Sequence, residues 1–133
     1  MFSEAPVLIA EDNLYIALDL SNAIEDMDGK VVGPASTVAE ALQLLEQHHV
    51  AAAILDCQLG EHDTASLARV LAQRGVPFVI HTATPVSATL ATLHPDVPVL
   101  LKPLQPRAVL TCLLDEMRKL HLPHRAEPPP RQT

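Results

Sequence analysis

Five side chains able to handle a phosphoryl group stand directly after short apolar runs. Val7–Ala10 leads into Glu11-Asp12, Ala52–Leu55 into Asp56, Phe78–His81 into Thr82, and Val99–Leu101 into Lys102-Pro103. Carboxylates are hard oxygen ligands for a divalent cation, and one of them can serve as a nucleophile. A hydroxyl donates one hydrogen bond to a phosphoryl oxygen, and an ammonium supplies a compact positive charge. One acid at a strand end is usually only solvated. Three at matching strand ends are another matter: two like charges ~5 Å apart repel by about 3 kcal/mol at an effective dielectric near 20. A site that gathers such repulsion needs a cation, and Mg²⁺, which keeps its waters and accepts phosphate, fits the ligand set.

These residues meet only if the runs are neighbours in one sheet. Apolar runs this short, bounded by turn-type residues, read as buried parallel strands. In an open α/β sheet, ligands sit beyond the carboxyl ends of the strands. Helical periods fill the gaps. Asn13 to Met27 repeats Leu14, Leu18, Ile24 and Met27. Thr37 and Glu40 form a capping box before Val38, Ala41, Leu42 and Leu45. A third helix is expected from about Asp63 to Arg74, with Leu67, Ala68 and Leu71 inward and Gly75 as its stop. A last helix follows Pro106. Lys30 to Gly33 supplies a short strand closed by Gly33-Pro34. The segment from Thr84 to Pro98 contains three prolines and only a short helical stretch, Ser87 to Leu93. Strand and helix thus alternate five times, the pattern of a doubly wound α/β sheet.

The chain has 133 residues, enough for one cored domain. Residues 1–122 are read as that domain and 123–133, with Pro128-Pro129-Pro130, as a polar tail expected to be disordered. No output domain is expected. Net charge is −7, and the few basic residues form no stripe, which argues against nucleic acid or an anionic membrane as partner. Two cysteines without metal spacing, no secretory signal and no membrane-length apolar run make a cytoplasmic protein the expectation. Cys57 should point away from the Asp56 side into the core. His81, alternating with Thr82, should pack on the opposite face of its strand.

The order of the site residues (acid pair, Asp, Thr, Lys-Pro) resembles the receiver domain of bacterial two-component response regulators, over about Pro6 to Leu120. The resemblance implies a flavodoxin-like, doubly wound five-stranded parallel sheet of order 2-1-3-4-5. It implies that Asp56 is the phosphoacceptor. Asp12 and Asp56 would bind Mg²⁺ directly, Glu11 through water, and Gln58 through its backbone carbonyl. Thr82 and Lys102 would hold the phosphoryl oxygens, with Lys102-Pro103 a cis bond. The partners implied are a histidine kinase or histidine phosphotransfer protein and an unidentified downstream protein. The chain would be no enzyme beyond its own Mg²⁺-dependent phosphorylation and dephosphorylation.

Two departures from the family pattern stand out. Leu59-Gly60 replaces the usual Met-Pro or Leu-Pro, so the loop after Asp56 is expected to be less stiff. Val99 replaces the aromatic residue three before the lysine. The chain resembles an atypical single-domain subfamily with Pro-Phe-x-x-x-Thr on the fourth strand and no switch aromatic, often served by kinases of sensory and stress pathways. Without a ring to rotate, phosphorylation must bias another element, and Thr84 to Pro98 is the candidate. A phosphorylation-independent adaptor on the same fold is the alternative. A phosphohydrolase of the haloacid dehalogenase type is disfavoured, because Gln58 occupies the place of its general acid.

Overall fold

The computed structural model describes residues 1–121; the expected Pro-rich tail, 123–133, lies outside the described residues. Among the described residues, seven strands and five helices follow one another as β1 (Pro6–Ala10), α1 (Leu14–Asp26), β2 (Lys30–Ala35), α2 (Val38–Gln47), β3 (Ala52–Leu55), β4 (Gln58–Leu59), β5 (His62–Asp63), α3 (Ala65–Gln73), β6 (Phe78–Thr82), α4 (Ala88–Leu93), β7 (Val99–Leu101) and α5 (Pro106–His121). Five strands form a parallel sheet of order β2-β1-β3-β6-β7, while β4 and β5 make a separate antiparallel hairpin. With the hairpin set aside, this is the expected 2-1-3-4-5 order.

Strand alternation divides the core in two. Val7, Ile9, Ala52, Ile54 and Val79 face Leu20 and Ile24 of α1 and Val109, Leu110 and Leu113 of α5. Leu8, Ala10, Ala53, Leu55 and Ile80 face Ala41 and Leu45 of α2, Leu67 and Leu71 of α3 and Leu90 of α4. Both faces of the central strands are therefore dry, as parallel strands covered by crossover helices require. Gly33-Pro34, expected to close β2, instead lies inside it: the strand continues past an irregularity to Ala35, which pairs with Ala10, and Gly33 has φ +98°, where a Cβ would lie 2.8 Å from the Ala35 nitrogen. Only glycine fits that bend.

Three further expectations need correction. In α1 the inward residues are Ala17, Leu20 and Ile24, while Leu14 and Leu18 are exposed. Both sets have helical spacing; the Asn13 side chain, which accepts from the amides of Tyr15 and Ile16, sets where the helix starts. Next, α3 begins at Ala65 rather than Asp63, because His62–Asp63 pair with Gln58–Leu59 in the hairpin. Finally, β7 is not a buried strand. Among the described residues it pairs only with β6, and Val99 and Leu101 are exposed at the sheet edge. The α2 capping box holds with one shift: Thr37 accepts from the Glu40 amide, but Glu40 reaches back to the Ser36 amide rather than to Thr37.

The corrected α1 face is testable by urea denaturation. Leu20→Ala, on the buried face of α1, should lower the unfolding free energy by about 2–5 kcal/mol. Leu18→Ala should change it by less than about 0.5 kcal/mol. A loss at Leu18 as large as that at Leu20 would mean that α1 seats its other face.

Candidate functional site

Register brings the site residues level. Ala10 pairs with Leu55, and the Asp56 amide donates to the Ala10 carbonyl at 2.9 Å. The Glu11 amide donates to the Ala35 carbonyl at 2.9 Å, and the Lys102 amide to the Thr82 carbonyl at 2.8 Å. Backbone ladders thus continue one residue past the strands and fix where each functional side chain leaves the sheet. Carboxylate oxygens of Glu11, Asp12 and Asp56 all lie within 4.8 Å of one another. Glu11 and Asp56 are buried and Asp12 is exposed.

Lys102 lies across this cluster. Its Nζ is 2.8 Å from Glu11 Oε1 and 2.8 Å from Asp56 Oδ2. Burial acts to lower the lysine pKa, but its hydrogen bonds to Asp56 and Glu11 outweigh that and hold it above the ordinary value. Burial pushes the Glu11 carboxyl up; the Lys102 ammonium and the Asn13 amide, which donates to Oε2 at 3.0 Å, pull it back only in part. The Lys102–Pro103 bond is cis, as the resemblance implies.

The loop after Asp56 is not slack. Leu59 is buried, Gly60 turns the β4–β5 hairpin at φ +62°, and the Gly60 amide donates to Asp12 Oδ2 at 2.8 Å. Thr64, fully buried, donates its hydroxyl to the Asp56 carbonyl at 2.8 Å, and its amide donates to the Cys57 carbonyl. Hydrogen bonds replace the stiffness that a proline would give. Nothing in the sequence marks Thr64, since a threonine eight residues past Asp56 has no readable partner. Gln58, exposed, opens the hairpin two residues after Asp56.

Thr82 is fully buried, with its hydroxyl against Cys57 and Thr84. Cys57 is in the core on the α2–α3 side, as expected, but Thr82 reaches the same side, so the thiol borders a site hydroxyl. Strand parity places Cys57; only the crossing of two loops brings Thr84 to it. His81 is buried on the other face, where it borders a cavity of about 220 Å³ with Ile16, Leu20 and Pro106. Among the described residues, neither of its ring nitrogens has a hydrogen-bond partner. Burial, and then Lys102, hold its pKa below the ordinary histidine value, which keeps it neutral in its packing role.

Removing the Lys102 charge should expose what it balances. Because its folded pKa is raised, its contribution is intact below the ordinary lysine pKa and is lost only as pH rises through the folded value. Lys102→Met should lower stability at pH 7 by about 1–3 kcal/mol, since two crowded carboxylates lose their partner. Glu11, whose raised pKa favours the protonated form, then destabilises the fold as pH rises. The loss should therefore be smaller at pH 4. Equal losses at both values in urea denaturation would assign the effect to the lysine's hydrocarbon stem instead.

Comparison with known proteins agrees with this geometry. The family model for the response regulator receiver domain matches residues 7–113. SdrG from Sphingomonas melonis Fr1 is 35% identical, with a TM-score of 0.71 over 86% of this chain and 99% of that one. A CheY-like receiver domain protein from Methanospirillum hungatei JF-1 has a TM-score of 0.79 at 20% identity, covering 90% of this chain and 98% of that one. The transcriptional regulatory protein PdtaR of Mycobacterium tuberculosis is 33% identical over 78 residues, 58% of this chain but 38% of that protein. The chain thus spans well under half the length of the curated relatives it matches. A family match from Val7 to Leu113, over a parallel sheet that gathers its acids, threonine and lysine at one edge, makes this chain a member of the response regulator receiver domain family.

Proposed function

We propose that Asp56 accepts a phosphoryl group from a histidine kinase or a histidine phosphotransfer protein, and that the phosphorylated domain signals by contact with a further protein. The observation that carries this reading is the grouping at the strand ends. Asp56 follows the central strand, two more carboxylates lie within 4.8 Å, and an ammonium sits 2.8 Å away. The acidic net charge of −7 favours a protein partner over nucleic acid or an anionic membrane. No described helix is long and apolar enough to cross a membrane.

In the proposed step an Asp56 carboxylate oxygen attacks the phosphorus of a phosphohistidine. The O–P bond forms as the P–N bond breaks; the electron pair stays on the imidazole nitrogen, which takes up a proton. Lys102, already hydrogen-bonded to Asp56, passes to a phosphoryl oxygen and balances the charge that arrives. Thr82 is the hydroxyl donor to a second oxygen. The all-oxygen donor set suits Mg²⁺: Asp12 and Asp56 would hold it directly, with the Gln58 backbone carbonyl, and Glu11 through water. When bound, the ion offsets the repulsion between these carboxylates and the incoming phosphate. The chemistry is stoichiometric modification of the protein itself, reversed by hydrolysis, and not turnover of a separate substrate.

Acetyl phosphate with Mg²⁺ should add one phosphoryl group, seen by intact-protein mass spectrometry. Asp56→Ala should remain unlabelled, a chelator should prevent labelling, and Lys102→Ala should slow it about 10- to 100-fold. Labelling of Asp56→Ala at the wild-type rate would overturn the assignment. No labelling of the wild type under any of these conditions would favour a phosphorylation-independent adaptor.

A further inference from the structure

Thr82 does not hold its hydroxyl ready for a phosphoryl group. It donates to the Thr84 carbonyl at 3.1 Å and accepts from the Thr84 amide at 3.1 Å. The Cys57 thiol lies 3.0 Å from it and the Thr84 hydroxyl 3.3 Å. Those last two groups are 3.3 Å from each other, which closes a three-membered side-chain ring. A hydroxyl has one proton and two lone pairs, so these partners use its full capacity. Among the described residues, no hydrogen bond joins Thr82 to Asp56. Thr84 also opens the connection to α4, whose cap Ser87 accepts from the Leu90 amide. Val86 and Leu90 pack in the same core cluster as Cys57.

We propose that Cys57 and Thr84 are positioning residues for phosphorylation. Their side chains hold the Thr82 hydroxyl in a resting orientation, and the phosphoryl group must draw it away. That movement breaks the Thr82–Thr84 bond and frees the start of the α4 connection. The chain thereby couples the site to α4 through a thiol and two hydroxyls, with no aromatic ring at Val99 to rotate. The proposal rests on the reading of Asp56 as phosphoacceptor.

A double-mutant cycle tests it. Cys57→Ala and Thr84→Val should each raise the rate of Asp56 labelling by acetyl phosphate about fivefold, the effect of one net hydrogen bond. In a Thr82→Val background, itself slowed, neither substitution should change the rate. Cys57→Ser, which keeps a hydrogen-bonding atom, should label at about the wild-type rate. Equal acceleration with and without Thr82, or none in its presence, would overturn the proposal. Thr84 lies on an exposed loop, so its substitution keeps the test valid if Cys57→Ala fails to fold. A second measurement needs no phosphorylation: the Thr84 amide should exchange with deuterium about tenfold faster in Thr82→Val than in wild type. Unchanged exchange would overturn the resting hold. Faster exchange in a protein that never labels would leave the hold standing and remove the phosphoacceptor reading alone.

Discussion

The bridge from Lys102 to Glu11 and Asp56 is the contact on which the site depends. Parallel pairing brings β1 and β3 to the same level, and the residues that follow them are acids. Two carboxylates at that spacing cost about 3 kcal/mol in a medium of intermediate dielectric, and a third adds to it. The fold tolerates this because β7, paired with β6, delivers an ammonium 2.8 Å from two of them. The same arrangement is chemically poised. A charge balanced by a movable side chain can be rebalanced around a phosphate, whereas one neutralised by burial cannot.

The parts of this design legible in the sequence are those set by period and adjacency. Apolar runs of three or four residues and the acids, threonine and lysine that end them need no knowledge of tertiary contacts. What the sequence leaves open are choices between equivalent patterns. Leu14 and Leu18 have helical spacing as sound as Leu20 and Ile24, and only the cap at Asn13 and the seat of Ala17 on the sheet decide which set is buried. Val99–Leu101 is as apolar as the inner strands, but edge position depends on what pairs with what. The hairpin after Asp56 is least legible: Leu59 buries, and Gly60 and Thr64 tie back to Asp12 and Asp56 through contacts between distant residues.

Those ties explain how a loop without proline serves the site. Thr64 fixes the Asp56 carbonyl, Gly60 fixes the Asp12 carboxylate, and Asn13 fixes Glu11. Each acid is thus held by a backbone or hydroxyl donor from a different element, so the cluster is preorganised before any cation or phosphate arrives. By contrast, the segment beyond Thr82 is held by one short helix of six residues and a single fully buried leucine, Leu90. Rigidity is concentrated where charge is gathered and relaxed where movement is needed.

One detail of α1 has a spectroscopic side. The chain has no tryptophan, and its single tyrosine is Tyr15. That residue is 80% exposed in the first turn of α1, where its amide is bound by Asn13, the residue whose own amide holds Glu11. The intrinsic tyrosine emission of the protein therefore originates in the exposed first turn of α1, three residues after Asp12, and not in the core. It reports on the helix start that Asn13 caps, and it is nearly blind to the packing of the sheet beneath.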